Sequence, residues 1–159
     1  GILQQSHKRH RHGGGFVVKD FESFIQSGDG KKQAPDANLS DSLVNDAVRR
    51  LEYAKSSPLT EENAKYVYEN TYESLREAAD AVLFLQGYKS FSHEATVAFI
   101  QRFDEFTVRE ISGFDRMRIK RNGMKYYGKS CSADDAKEAM EFAESLIKKL
   151  VALQRKLRE

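Results

Sequence analysis

Thr60-Glu-Glu-Asn-Ala-Lys-Tyr-Val-Tyr-Glu-Asn-Thr-Tyr-Glu-Ser-Leu-Arg-Glu-Ala-Ala-Asp-Ala-Val-Leu-Phe-Leu-Gln-Gly87 reads as one long amphipathic helix. Ala64, Val67, Tyr68, Thr71, Leu75, Ala78, Ala79, Val82 and Leu83 recur near the 3.6-residue period and form a single apolar stripe. A Thr60 hydroxyl can cap the first free amides, Glu61 and Glu62 suit the positive helix end, and Gly87 is a stop signal. At about 1.5 Å per residue this rod is roughly 40 Å long, so the stretch is expected to be a bundle's spine.

Helical periodicity continues on both sides. Leu39, Leu43, Ala47 or Val48, Leu51 and Ala54 follow a cap at Asn38 or Ser40, and Pro58 closes that segment. Ser92 can cap a third helix carrying Ala95, Phe99, Ile100 and Phe103. A fourth, with Val108, Ile111, Phe114 and Ile119, runs into a basic stretch between helical segments. Ser132, Asp134 and Asp135 open the last, where Ala136, Ala143, Leu150, Leu153 and Leu157 share a face. β-branched residues never alternate over a useful length, so no strand is expected. The predicted fold class is all-α, an up-and-down bundle of four to five helices with short connections.

The organisation follows from the punctuation. Residues 1–15 form a basic, His-rich tail ending in three glycines; His7, His10 and His12 could take a metal, but a solvated or vector-derived tail is the plainer reading. Residues 16–37 are an extension expected to pack on the body, with a Gly- and Pro-rich loop from Ser27 to Pro35. Residues 38–159 are the bundle. A chain of 159 residues with 40% hydrophobic and 31% charged residues can bury a core as one domain. No run approaches the roughly 18 apolar residues of a membrane span, and no signal peptide is legible. The single cysteine, Cys131, allows no internal disulfide, suits a reducing cytoplasm, and reads as a packing residue.

The charge is concentrated. From Arg116 to Lys129 the chain has Arg116, Arg118, Lys120, Arg121, Lys125 and Lys129 and no acid within the stretch. Without these and the three basic residues of the tail, the rest is acidic. A local basic patch on an acidic body points to an anionic partner with a small footprint. The candidate contacts are Arg118, Lys120, Arg121, Lys125, Tyr127 and Lys129, with the tyrosine able to stack on a base. The plainer alternative is a solvated helix face. His93, in the first turn of its helix, would be held neutral by the positive helix end and could act as a base, or it could simply orient the loop before it.

Three pieces, Tyr72 to Leu83, Gly87 to Thr96 and Arg116 to Gly128, followed by one long terminal helix, resemble the HEPN family of helical-bundle domains over roughly residues 39–157. In ribonucleases of that family an Arg is followed after four to six residues by a His, often as Arg-Asn-x-x-x-His. By that resemblance Arg121 and Asn122 match, and Tyr126 stands where the His would be. Metal-free RNA cleavage needs a base for the 2′-hydroxyl and a cation for the phosphate. A phenol with a pKa of about 10 is a poor base at neutral pH. The resemblance therefore implies a homodimer that binds RNA or nucleotide phosphate through Arg121 without efficient catalysis. Its alternatives are a partner of a small nucleotidyltransferase, of toxin–antitoxin type, with the tyrosines as a docking or modification point, and a weak metal-independent endoribonuclease drawing on Arg121, Asn122, Tyr126 or His93. No phosphate loop, zinc pattern or nucleophile elbow is present, and no metal or cofactor is expected.

Overall fold

The computed structural model describes residues 18–159. Six helices carry the chain: α1 (Phe21–Ser27), α2 (Ala37–Ser56), α3 (Ala64–Gln86), α4 (His93–Ile100), α5 (Val108–Tyr127) and α6 (Ala133–Arg158). Two short strands, β1 (Gly30–Lys32) and β2 (Tyr88–Ser90), pair antiparallel. The tail over 1–15, with His7, His10 and His12, lies outside the described residues.

α3 is the spine. Tyr72, Leu75, Ala78, Ala79, Val82 and Leu83 are fully enclosed between α2 and α6 on one side and α4 and α5 on the other. Its alanines let backbones approach closely enough for side chain to main chain ties. Ser40 donates to the Ala81 carbonyl at 2.6 Å, and Ser74 donates to that of Ala47. Truncating a residue as enclosed as Leu75 to alanine removes packing worth about 2–5 kcal/mol.

Helix ends follow local chemistry, although several lie where the sequence alone misplaces them. Asp36, not Asn38 or Ser40, caps α2, with its carboxylate accepting from the Leu39 N–H at 3.0 Å. Thr60 caps a turn rather than the helix: its hydroxyl accepts from Asn63 N, and α3 begins at Ala64. α4 stops at Ile100, so Phe103 reaches the core from a turn. Ser92 caps α4 as expected, and Thr107 with Glu110 and Ser132 with Asp135 form capping boxes on α5 and α6.

Two larger departures matter for function. The basic stretch from Arg116 is not a connection between helices; it continues α5 through to Tyr127. The bundle also carries the two-stranded β1–β2 sheet, a pairing invisible to periodicity because each strand has only three residues and α2 and α3 lie between them. It is held at α3's end, where the Gln33 N–H donates to Gly87 O and the Asp36 N–H to Phe84 O. Gly87 adopts φ 82°, and a Cβ there would lie 2.7 Å from Gln33 O, so only glycine fits. Beneath the sheet Phe21 and Tyr88 pack edge-on, and both contact Phe99. The extension thus packs on the body through α1.

A second polar cluster joins α2 to α3. Arg50 Nε lies 2.7 Å from Glu77 Oε1, and Asp46 lies beside both. Burial, then the Asp46 carboxylate, push Glu77 up to about 7 against the opposing Arg50 charge. Among the described residues no helix is long and apolar enough to cross a membrane.

Candidate functional site

A polar seam runs between α3, α4 and α5. One face of α3 supplies Tyr72, Glu73, Arg76 and Asp80, at spacings that place them along the same side. Arg76 is saturated: Nη2 lies 2.7 Å from Glu73 Oε2 and Nη1 lies 2.6 Å from Asp80 Oδ2. Thr96 of α4 donates to the other Asp80 oxygen at 3.0 Å. Burial pushes Asp80 up to about 6, while Arg76 and the Thr96 hydrogen bond oppose it. Burial also works against Glu73, but the hydrogen bond and charge of Arg76, with Arg121 and His93, hold it below its ordinary value.

His93, the first residue of α4, enters the same seam. Its Nδ1 lies 2.9 Å from the Tyr72 hydroxyl, and the two rings stack at 5.6 Å. Tyr72 is fully buried, and burial raises its pKa, so the phenol keeps its proton. Among the described residues His93 is the sole hydrogen-bond partner of that hydroxyl, so the proton is satisfied only when the phenol donates to Nδ1. A neutral imidazole that accepts at Nδ1 carries its proton at Nε2. Burial first, then the Arg76 charge, with Arg121 and Arg118 adding and Glu73 opposing, lower the pKa of His93. His93 therefore offers the seam an N–H donor rather than a base.

Arg121 closes the seam from α5. Its side chain is 12% exposed and lies over the Tyr72 ring, 5.8 Å from the centroid. Nη2 is 3.6 Å from Glu73 Oε1, Nη1 is 3.5 Å from Asn122 Oδ1, and Nε is buried without an acceptor. A guanidinium with five N–H groups thus sits largely out of water with no hydrogen bond of ordinary length. Such a group is stabilised by an oxyanion.

The six basic side chains expected to act together are distributed around α5, because successive residues turn by 100°. Arg118 faces inward and pairs with Asp115 at 2.8 Å. Lys120 points to the opposite side, paired with Asp135 at 2.9 Å and 5.7 Å from the Tyr68 ring. There it borders an open cleft of about 260 Å³ between α3, α5 and α6, lined also by Gly113, Arg116 and Phe142. Lys125 lies 5.5 Å from the Tyr126 ring at the solvent edge. Tyr126 is 64% and Tyr127 79% exposed, and Lys129 follows the Gly128 cap. The expectation of a basic run without acidic partners is therefore corrected: Arg118, Lys120 and Arg121 all face carboxylates, two of them from other helices. Tyr126, at the motif's His position, stands in solvent rather than in the seam, while His93, thirty or so residues earlier, occupies it.

Sequence reasoning missed Glu73, Arg76 and Asp80 as site residues. Their signal was present as three charges spaced i, i+3 and i+7 on the face of a helix that also carries core side chains. Among the described residues no group of His, Cys, Asp and Glu could hold a metal ion. Cys131 is buried beside Ala64, and burial raises its thiol pKa, in keeping with a packing role. Comparison with family models, with curated proteins and with solved structures finds no match.

Proposed function

We propose that this protein is a HEPN-like RNA-binding module that takes a phosphate group of RNA, or of a nucleotide, into the seam between Arg121 and His93, and that it does so without efficient cleavage. The observation that carries the reading is the Arg121 guanidinium, 12% exposed with its Nε buried and lacking an acceptor, which shares the Tyr72 ring with an imidazole whose proton is on Nε2. A phosphate oxygen accepts from both groups, and neither needs to change protonation at neutral pH. The same tautomer argues against catalysis: with Nδ1 accepting from Tyr72, Nε2 has no lone pair with which to take a 2′-hydroxyl proton.

The expected pairing of two copies belongs to this proposal. The outer face of α5 carries exposed Ile119 and Tyr126, about two turns apart, and offers a second copy an apolar strip on the side of the helix away from Arg121. Light scattering at tens of micromolar should then give twice the chain mass, and a strict monomer removes this part.

The deciding experiment is RNA binding and cleavage measured together, in the presence of a chelator. Binding without cleavage, lost in Arg121→Ala, is the expected result. Metal-independent cleavage abolished by Arg121→Ala would replace the non-catalytic reading with an endoribonuclease. Unchanged binding in Arg121→Ala would remove the site.

A further inference from the structure

The outward face of the two-stranded β1–β2 sheet has a composition that the fold does not explain. In the antiparallel register Lys31 stands directly opposite Lys89. Like charges in that position destabilise a strand pair. Neither lysine enters an ion pair among the described residues. Both ammonium groups instead gather around one ring, that of Phe91, at 5.9 Å for Lys31 and 5.3 Å for Lys89. Phe91 is 54% exposed, whereas Tyr88, three residues earlier, is half-buried against Phe21 and Phe99. Phe91 follows Lys89 by two residues, so the three side chains share one face.

The platform is rigid and adjoins the seam. The Phe91 N–H donates to Asp29 O at 2.7 Å, and the next residue, Ser92, caps α4. His93 comes immediately after that, so Phe91 and His93 are at most about 7 Å apart along the chain.

We infer that Phe91, Lys31 and Lys89 form a nucleobase-stacking subsite for single-stranded RNA, occupied by the nucleotide next to the one whose phosphate enters the Arg121–His93 seam. This assignment rests on the phosphate-binding reading of that seam. An exposed phenyl ring offers a face to any base, which gives affinity without strict sequence choice. Two ammonium groups beside the ring reach the flanking phosphates, and an anion between them removes the repulsion between Lys31 and Lys89. The cation–π contacts now present are weak at an exposed site, so a base displaces them at little cost.

The test is fluorescence anisotropy with a labelled decameric oligouridylate and, as competitor, uridine monophosphate, long enough only for the seam. Phe91→Ala should weaken decamer binding about 5- to 100-fold, whereas Phe91→Tyr retains it. Uridine monophosphate should bind wild type and Phe91→Ala equally. Lys31→Ser with Lys89→Ser should lower the salt slope of decamer binding by about 1.4. Wild-type decamer affinity in Phe91→Ala overturns the subsite, and if Arg121→Ala still loses binding, the seam reading survives. Loss in Phe91→Ala with none in Arg121→Ala keeps the platform as an RNA contact and removes the seam. Tighter binding of polyglutamate than of the decamer assigns the face to an acidic protein and overturns the proposal.

Discussion

The Tyr72 hydroxyl lies 2.9 Å from Nδ1 of His93, and a phenol that donates there leaves the imidazole proton on Nε2. Nitrogen-15 NMR of the imidazole should show Nε2 protonated and Nδ1 as acceptor at neutral pH. Tyr72→Phe should lower stability by about 1 kcal/mol and allow both neutral tautomers. An unaltered tautomer in Tyr72→Phe would mean that another group sets it.

His93 also makes stability depend on pH. Its folded pKa lies below the ordinary value, so the unfolded chain binds more protons near that value. Its contribution is therefore complete above about pH 6.5 and is lost as pH falls from there through the depressed folded value. Thermal melts of wild type and His93→Gln should diverge less in mildly acidic than in neutral buffer. Parallel profiles would show that His93 is not held neutral by its surroundings.

Glu77 should act with the opposite sign. Its folded pKa, about 7, lies above the unfolded one, so the folded chain binds the extra proton. Stability from this group is full below the unfolded carboxyl value and declines as pH rises through about 7. Glu77→Gln, read by melting temperature across neutral pH, should flatten that decline. Arg50→Ala should steepen it, because the Arg50 charge now opposes the upward shift.

Arg121→Ala separates function from architecture. Removing charged hydrogen bonds to a ligand should weaken phosphate or RNA binding about 10- to 100-fold. Folding stability should change by no more than about 1 kcal/mol, because Glu73 keeps Arg76 at 2.7 Å. A collapse of melting temperature with binding intact would make Arg121 a structural residue.

Gly87→Ala should be far more harmful than Gly28→Ala, although both glycines have positive φ. The left-handed conformation costs alanine about 1–2 kcal/mol at either position. At Gly28 nothing lies within 4 Å of the added carbon, whereas at Gly87 the Gln33 carbonyl is 2.7 Å away. Denaturant midpoints should fall further for Gly87→Ala, and equal losses would place the sheet's anchoring elsewhere.

Much of the helical architecture was legible because it is encoded within single elements. The α3 stripe, the Gly87 stop and the Ser92 and Ser132 caps each depend on residues a turn or two apart. What escaped is what two distant segments make together. The β1–β2 sheet has too few residues per strand for alternation to register. Lys120 found Asp135 and Arg121 found Glu73 across helix contacts that no spacing rule supplies. Arg118 with Asp115 was an ordinary i, i+3 pair, but its carboxylate lies one residue before the stretch that drew attention. His93 was legible as a helix-start histidine, yet its position beside Arg121 depends on how α4 packs against α3.

Because β1 and β2 come from opposite ends of the α2–α3 hairpin, their lysines become neighbours only after those helices have docked. A ribosome-bound or truncated chain would carry every one of these side chains and still present no composite surface. The proposed recognition by this face would thereby be conditional on completed assembly, a built-in proofreading of the fold before any ligand is engaged.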